Sequence, residues 1–313
     1  MNIILKIILG CFIVVVILLA LAGLTTIVGL TQNSNAFKYA MSNQLRCPEN
    51  TVSCEPVFNQ NGLPVPQFIP TYYDTDTSRF CLDLIIHVAF SEKVGDIQSL
   101  KKVAELSNTM DTSATFGVIW VSEDTIWIAF RGTGNNLQEW INNFKITQVS
   151  YDNNKKNLQL PSFMVNNKDI KIHEGFFIMY DEMINPIYDT IKTYYKQGMK
   201  IVVTGHSLGA AVSTILGAEL KTLGYDNVTV YTFASPRVGN EALTNYIHQI
   251  QLPLFRVVNT EDIVPQIPLP VSPNLQKYDD PSFYSHCGIE HNFTENWLSA
   301  INNHSLALYQ DQI

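Results

Sequence analysis

Between Lys200 and Asn259 the sequence alternates short apolar runs with helical patterns, and this alternation constrains the fold more than any other feature. KIVVTG (200–205), VTVYTFAS (228–235) and LFRVVN (254–259) read as buried strands. SLGAAVSTILGAELKTLG (207–224) and NEALTNYIHQI (240–250) read as the helices between them. Strands joined through crossover helices bury their apolar faces as a parallel sheet with right-handed connections. The expected fold class is α/β, a mostly parallel central sheet with flanking helices. Upstream, SRFCLDLIIHVAF (78–90) and DIQSLKKVAEL (96–106) have helical spacing. FGVIWVSEDTIWIAFRGT (116–133) predicts a hairpin turning at Ser122-Glu123-Asp124. Residues 150–170 read as an Asn- and Lys-rich loop, and 174–198 as a long helix bent at Pro186. Residues 265–273 form a proline-rich loop. The pattern NWLSAINNHSLALYQ (296–310) predicts a final helix broken near Asn302-Asn303.

The N-terminus obeys a different rule. No charged residue lies between Lys6 and Lys38, and Ile7–Leu30 is a continuous run of 24 largely apolar residues. At about 1.5 Å per residue, a helix of that length crosses a hydrocarbon layer of roughly 30 Å. A cleaved signal peptide has a shorter apolar core of about 7–15 residues, although Ala20-Leu21-Ala22 would serve as a cleavage site. Run length favours an uncleaved anchor. The expected organisation is 1–30 as transmembrane anchor or signal peptide, 31–74 as a polar, proline-containing extension, and 75–313 as the folded domain. That domain is expected on the lumenal or extracellular side of a membrane, or secreted if the run is cleaved. Outside the run, Cys47, Cys54, Cys81 and Cys287 allow three pairings. A local Cys47–Cys54 loop and a Cys81–Cys287 bridge are expected, with free buried thiols as the alternative. Sequons at Asn227, Asn292 and Asn303 are weak signals for glycosylation. A net charge of −8 without basic runs makes nucleic acid a poor partner. No Cys/His cluster has zinc spacing, and neither metal nor cofactor is expected. Oligomeric state is not legible.

Gly205-His206-Ser207-Leu208-Gly209 sits where a strand pattern gives way to a helix. That context makes a G-x-S-x-G match specific. A sharp strand-to-helix turn lifts the Ser207 hydroxyl above the sheet edge, and the two glycines leave room for backbone to pass. The helix N-terminus favours negative charge developing next to the Leu208 N–H. The bland alternative is an ordinary glycine-rich turn. His206 adjoins the serine on a tight turn, where neighbouring side chains diverge, so it reads as packing beneath the turn.

A serine nucleophile on such a sheet needs an acid and then a histidine later in the chain. In LFRVVNTEDIVPQIP the acid falls just past a strand, at Glu261 or Asp262. Asp262 is favoured because Ile263 and Val264 can bury it. Asp226 lies at the wrong end of the sheet; Asp279 and Asp280 fall in a polar loop. His286, His291 and His304 all qualify as the base by order. A base must come within about 3 Å of both partners. Spacing leans towards His304 without deciding.

Together these residues carry a resemblance. From about residue 75 onward the chain resembles the class 3, fungal-type triacylglycerol lipases of the α/β-hydrolase superfamily. IAFRGT (128–133), IHEGF (172–176), VVTGHSLGAA (202–211) and YTFASPRVGN (231–240) followed by RVVNTEDIVPQIP (256–268) match in order. The resemblance implies Ser207 as nucleophile, Asp262 as acid and His304 as base. The Thr133 and Leu208 N–H groups become the oxyanion donors. FYSHCGIE (283–290) resembles a family segment that precedes the base, which makes His286 structural and leaves His291 as a surface residue. His173 opens a helix and takes no part in chemistry. The resemblance also implies a lid. GNNLQEWINNF (134–144) places Leu137, Trp140, Ile141 and Phe144 on one apolar helical face. Such a helix can open onto a lipid surface. The extension and the 150–170 loop have no family counterpart.

The expected activity is hydrolysis of acyl-lipid esters at a lipid–water interface, without cofactor. Alternatives on the same residues are a phospholipase A1 and a small-ester (feruloyl-type) esterase. A catalytically silent, membrane-anchored binding module is the alternative from another class. A glycan on Asn303, beside His304, would crowd the site, so Asn303 is expected to be unmodified.

Overall fold

A computed structural model describes residues 73–91, 93–109, 115–133, 147–154, 158–270 and 284–313. The apolar run 7–30, Cys47, Cys54 and the lid residues Leu137, Trp140, Ile141 and Phe144 lie outside them. Among the described residues no helix is long and apolar enough to cross a membrane.

The chain order is α1 (Thr75–Phe90), β1 (Lys101–Leu106), β2 (Gly117–Val121), β3 (Thr125–Phe130), β4 (Gln148–Ser150), α2 (Ser162–Asn166), β5 (Lys171–His173), α3 (Glu174–Tyr194), β6 (Lys200–His206), α4 (Leu208–Thr222), β7 (Val228–Phe233), α5 (Glu241–Gln249), β8 (Leu254–Asn259), β9 (Ile289–Phe293), α6 (Ala300–Asn303) and α7 (Leu306–Gln312). Seven strands form the central sheet in the order β1-β2-β3-β6-β7-β8-β9. The hairpin β2–β3 and its neighbour β1 pair antiparallel; from β3 to β9 every pairing is parallel. This is an α/β fold with a mostly parallel sheet.

Strand periodicity splits the core in two. Ile126, Ile128, Phe130, Ile201 and Val203 pack with α3 and α4. Ala129, Val202, Tyr231 and Phe233 pack with α1 and α7 on the opposite face. Cys81 belongs to the α1 layer and Cys287 to the other, and both are free, buried thiols. The expected Cys81–Cys287 bridge is therefore absent, because the sheet lies between the partners. Burial raises both thiols, Cys287 to about 11, which keeps them protonated and inert.

Three further expectations need correction. The DIQSLKKVAEL pattern is not a helix; its second half is the edge strand β1. A bulge between Lys102 and Ala104 lets Val103 and Leu106, three residues apart, meet the same core. That spacing mimics a helix. The 150–170 segment contains α2 and contributes to the small β4–β5 pair, so it is not simply a loop. IEHNF forms the edge strand β9, and His291 is half-buried rather than superficial, stacked on Tyr73 with ring centroids 3.8 Å apart. Pro186 lies inside α3, which ends at Tyr194. The final helical pattern does break, between α6 and α7, at His304-Ser305.

Candidate active site

The turn between β6 and α4 is built by backbone. Ser207 occupies φ 54°, ψ −121°, a conformation that side chains rarely adopt and that costs about 1–3 kcal/mol. Close packing enforces it. A Cβ on Gly205 would lie 2.3 Å from the Gly209 carbonyl oxygen, and one on Gly209 would lie 2.4 Å from that of Arg131. The Ser207 N–H donates to the Phe233 carbonyl on β7 at 2.9 Å, and the Ser207 carbonyl accepts from Ala210 at 3.0 Å. Leu208 is the first residue of α4, so its N–H has no intrahelical acceptor.

Asp262 and His304 are held by side chains instead. Asp262 follows β8 and is buried. Its Oδ1 accepts from the Val264 N–H at 2.9 Å; its Oδ2 accepts from His304 Nδ1 at 2.7 Å and from the Tyr309 hydroxyl at 3.0 Å. With Nδ1–H committed to a carboxylate, the remaining His304 nitrogen, Nε2, carries the lone pair. That Nε2 is buried without a hydrogen-bond partner, and so is the Ser207 hydroxyl. Two unsatisfied buried polar atoms on a proton donor and a proton acceptor are costly to folding and useful to chemistry.

His206 lies beneath both. Its ring centroid is 4.6 Å from that of His304, and its Nε2–H donates to the His304 carbonyl at 3.0 Å. Burial, reinforced by His304, holds the His206 pKa well below the usual histidine value, so it stays neutral. The end of β3 meets the same turn. A Cβ on Gly132 would lie 3.1 Å from Ser207 Cβ. The buried Arg131 guanidinium donates to the Gly132 carbonyl at 2.9 Å and to the Thr115 carbonyl at 2.8 Å. Across a trans peptide the next N–H, that of Thr133, points the opposite way.

The other candidates are placed elsewhere. Glu261 is exposed. His286 donates from Nε2 to the Pro265 carbonyl at 2.7 Å, away from Asp262. Arg237 Nη1 holds the carbonyls of Gln266 and Pro268 at 2.5 and 2.9 Å. These donors explain why the PRVGN and FYSH segments matter: Pro265, Pro268 and Pro270 supply no N–H of their own, so the acid-bearing loop is fastened from outside. His173 caps α3, its Nδ1 accepting from Gly175 and Phe176. Sequence reasoning missed Tyr309. On α7 it sits within the apolar face of LALY, where a tyrosine reads as core. Its hydroxyl also accepts from the Asn259 N–H at 3.0 Å. Among the described residues no group of three His, Cys, Asp or Glu side chains could hold a metal ion.

A strand-to-helix serine above a parallel sheet, with a carboxylate–imidazole pair delivered from later loops, defines the serine-type α/β-hydrolase scaffold. Residues 127–272 match the family model described as Lipase (class 3). A lipase of Rhizomucor miehei is 31% identical over 63% of this chain and 53% of its own length. The chloroplastic phospholipase A(1) DAD1 of Arabidopsis thaliana is 28% identical over 48% of this chain and 35% of its own. A solved Rhizomucor miehei triacylglyceride lipase superposes with a TM-score of 0.53 at 25% identity, covering 71% of this chain and 80% of that one. The chain thus spans about half the length of the first of these curated relatives and about a third of the second.

Proposed function

We propose that the domain at 75–313 is a serine carboxylic-ester hydrolase acting on acyl lipids. One observation carries the reading: His304 is tied through Nδ1 to Asp262 while its Nε2 and the Ser207 hydroxyl are both buried and unsatisfied. His304 Nε2 takes the Ser207 proton as Oγ attacks the ester carbonyl. Asp262 orients the ring and stabilises the imidazolium. The Leu208 and Thr133 N–H groups receive the oxyanion. His304 returns the proton to the departing alcohol, and water then cleaves the acyl-enzyme by the same route. Residues 134–144, whose sequence sets Leu137, Trp140, Ile141 and Phe144 at helical spacing, are the lid of this reading.

The likeness to the solved triacylglyceride lipase favours acylglycerol as substrate, and the phospholipase A(1) relative supports phospholipid as the second reading. Residues 1–30 would hold the domain at a membrane on its lumenal or extracellular side, or direct its secretion. The test is a panel of emulsified triacylglycerol, phospholipid vesicles and soluble short-chain esters, run on the wild type and Ser207→Ala. Hydrolysis that survives in Ser207→Ala, or no hydrolysis of any ester by the wild type, rejects the reading.

A further inference from the structure

Of the eight large apolar side chains exposed among the described residues, five stand on the two segments that carry Asp262 and His304: Ile263, Leu269, Trp297, Leu298 and Ile301. Leu298 is the extreme, 93% exposed at φ 64°. A left-handed backbone disfavours leucine by about 1–2 kcal/mol and tolerates asparagine. Local folding therefore gives no reason for an exposed leucine at this position.

The tip is nevertheless held rigidly. The Leu298 N–H donates to Asn296 Oδ1 at 2.8 Å, the Trp297 N–H donates to Asn303 Oδ1 at 2.7 Å, and Asn302 Nδ2 donates to the Trp297 carbonyl at 3.2 Å. The same amides reach the catalytic segments. Asn303 Nδ2 donates to the Glu261 carbonyl at 3.2 Å, and Asn259 Nδ2 donates to the carbonyls of Glu295 and Asn303 at 2.9 and 3.1 Å. A projecting apolar tip is thus wired to Asn259 and to the Glu261 carbonyl, both just before Asp262, and to the residue before His304.

Charge selects what the tip can meet. Residues 257–270 and 284–313 contain no Lys or Arg, but they do contain Glu261, Glu290, Glu295 and Asp311. An anionic surface would be repelled, because the neighbouring Arg237 is committed to the carbonyls of Gln266 and Pro268 and the buried Arg256 to Glu290. We propose that the Trp297–Ile301 tip, with the exposed Ile263 of the Asp262 segment, docks into an uncharged acylglycerol surface and presents the Ser207 site to it. This rests on the acyl-lipid reading above and names the surface from which that site draws its substrate.

The test uses the full chain carrying Ser207→Ala, so that lipid is not consumed, and droplets of triacylglycerol with brominated acyl chains. Trp297's share of the fluorescence is the part removed by adding Trp297→Phe. The expected result is that droplets quench this share. Leu298→Asn, which suits the left-handed backbone, should raise the droplet concentration for half-quenching about tenfold. Ile301→Gln should shift it in the same direction. Unquenched Trp297 emission from droplet-bound protein overturns the proposal. So does equal quenching in both variants, or stronger quenching by brominated anionic vesicles than by droplets. Hydrolysis by the unmutated chain is measured separately. Hydrolysis without Trp297 quenching removes the docking surface and keeps the enzyme; quenching without hydrolysis does the reverse.

Discussion

The Ser207 turn and the Asp262–His304 pair are linked through His206, whose ring lies 4.6 Å from that of His304, but they are held by opposite means. The turn is a backbone object, with glycines at Gly205 and Gly209 packed against carbonyls, a strained serine and a backbone hydrogen bond to β7. The pair is a side-chain object, whose contacts join residues 42 to 50 positions apart through an imidazole, a phenol and asparagine amides. Close-packed backbone tolerates no substitution and stores its information locally. A polar network tolerates partial loss and stores its information in distant residues.

The largest effects should come where the two regions join. Ser207→Ala and His304→Ala are each expected to lower kcat on an ester substrate by about 10⁴-fold or more, as losses of nucleophile and base do elsewhere. Asp262→Asn should cost a similar factor while leaving the fold intact, because it removes the charge that fixes the His304 tautomer. Initial rates on a soluble ester, with melting curves for each variant, check this. A loss below tenfold in Asp262→Asn would break the pairing of Asp262 with His304.

Next, Gly205→Ala tests the backbone region alone. Its Cβ would meet the Gly209 carbonyl at 2.3 Å, with Gly209 itself wedged against β3. Destabilisation of about 3 kcal/mol, or loss of soluble protein, is expected in chemical denaturation. The matching probe of the polar region, Tyr309→Phe, should be gentler. It removes a donor to Asp262 Oδ2 and an acceptor for the Asn259 N–H. The expectation is about 1–2 kcal/mol of stability and a fall in kcat of about tenfold, with KM nearly unchanged.

This asymmetry also explains what could be read from sequence. The parallel α/β sheet and the GHSLG turn were legible because their signals are contiguous: an apolar strand, glycines at fixed offsets, then a helix. The acid was narrowed to Glu261 and Asp262 by position, but His304 was separated from His286 only by resemblance. The contacts that favour His304, its bond to Asp262 and the bond of His286 to Pro265, join distant segments. Strand β1 was misread because a bulge gave it helical spacing. Strand β9 was missed because its polar IEHNF takes its stability from β8 and Tyr73. Sequence alone invites a Cys81–Cys287 pairing because it does not reveal that a sheet separates them.

The pH response should be smaller still. Burial holds His206 and His286 well below the usual histidine pKa; His304 adds to the effect at the first, Arg256 and Arg237 at the second. In the unfolded chain both titrate near about 6.5. Below that value the unfolded state binds protons that the native state refuses. Their contribution is therefore complete above about pH 6.5 and is lost as pH falls towards the folded pKa values. Melting temperature should decline on acidification from pH 7. His286→Gln, which can still donate to the Pro265 carbonyl, should reduce the slope by up to about 1.4 kcal/mol per pH unit.

The smallest expected effect is none at all, and it sharpens the comparison most cheaply. Asn303 lies in a sequon, as do Asn227 and Asn292. A glycan attaches at Nδ2. On Asn303 that atom is turned inward, donating to the Glu261 carbonyl, and the residue is only 6% exposed. Asn227 and Asn292 are exposed. Modification before folding would bar Asn303 from its place and separate His304 from the acid-bearing loop. Active protein from a glycosylating host should therefore carry glycan at Asn227 or Asn292 only, with the Asn303 peptide at its unmodified mass. A glycan on Asn303 in active enzyme would mean that the network around His304 is dispensable, and that the contrast between a rigid turn and a wired pair is wrong.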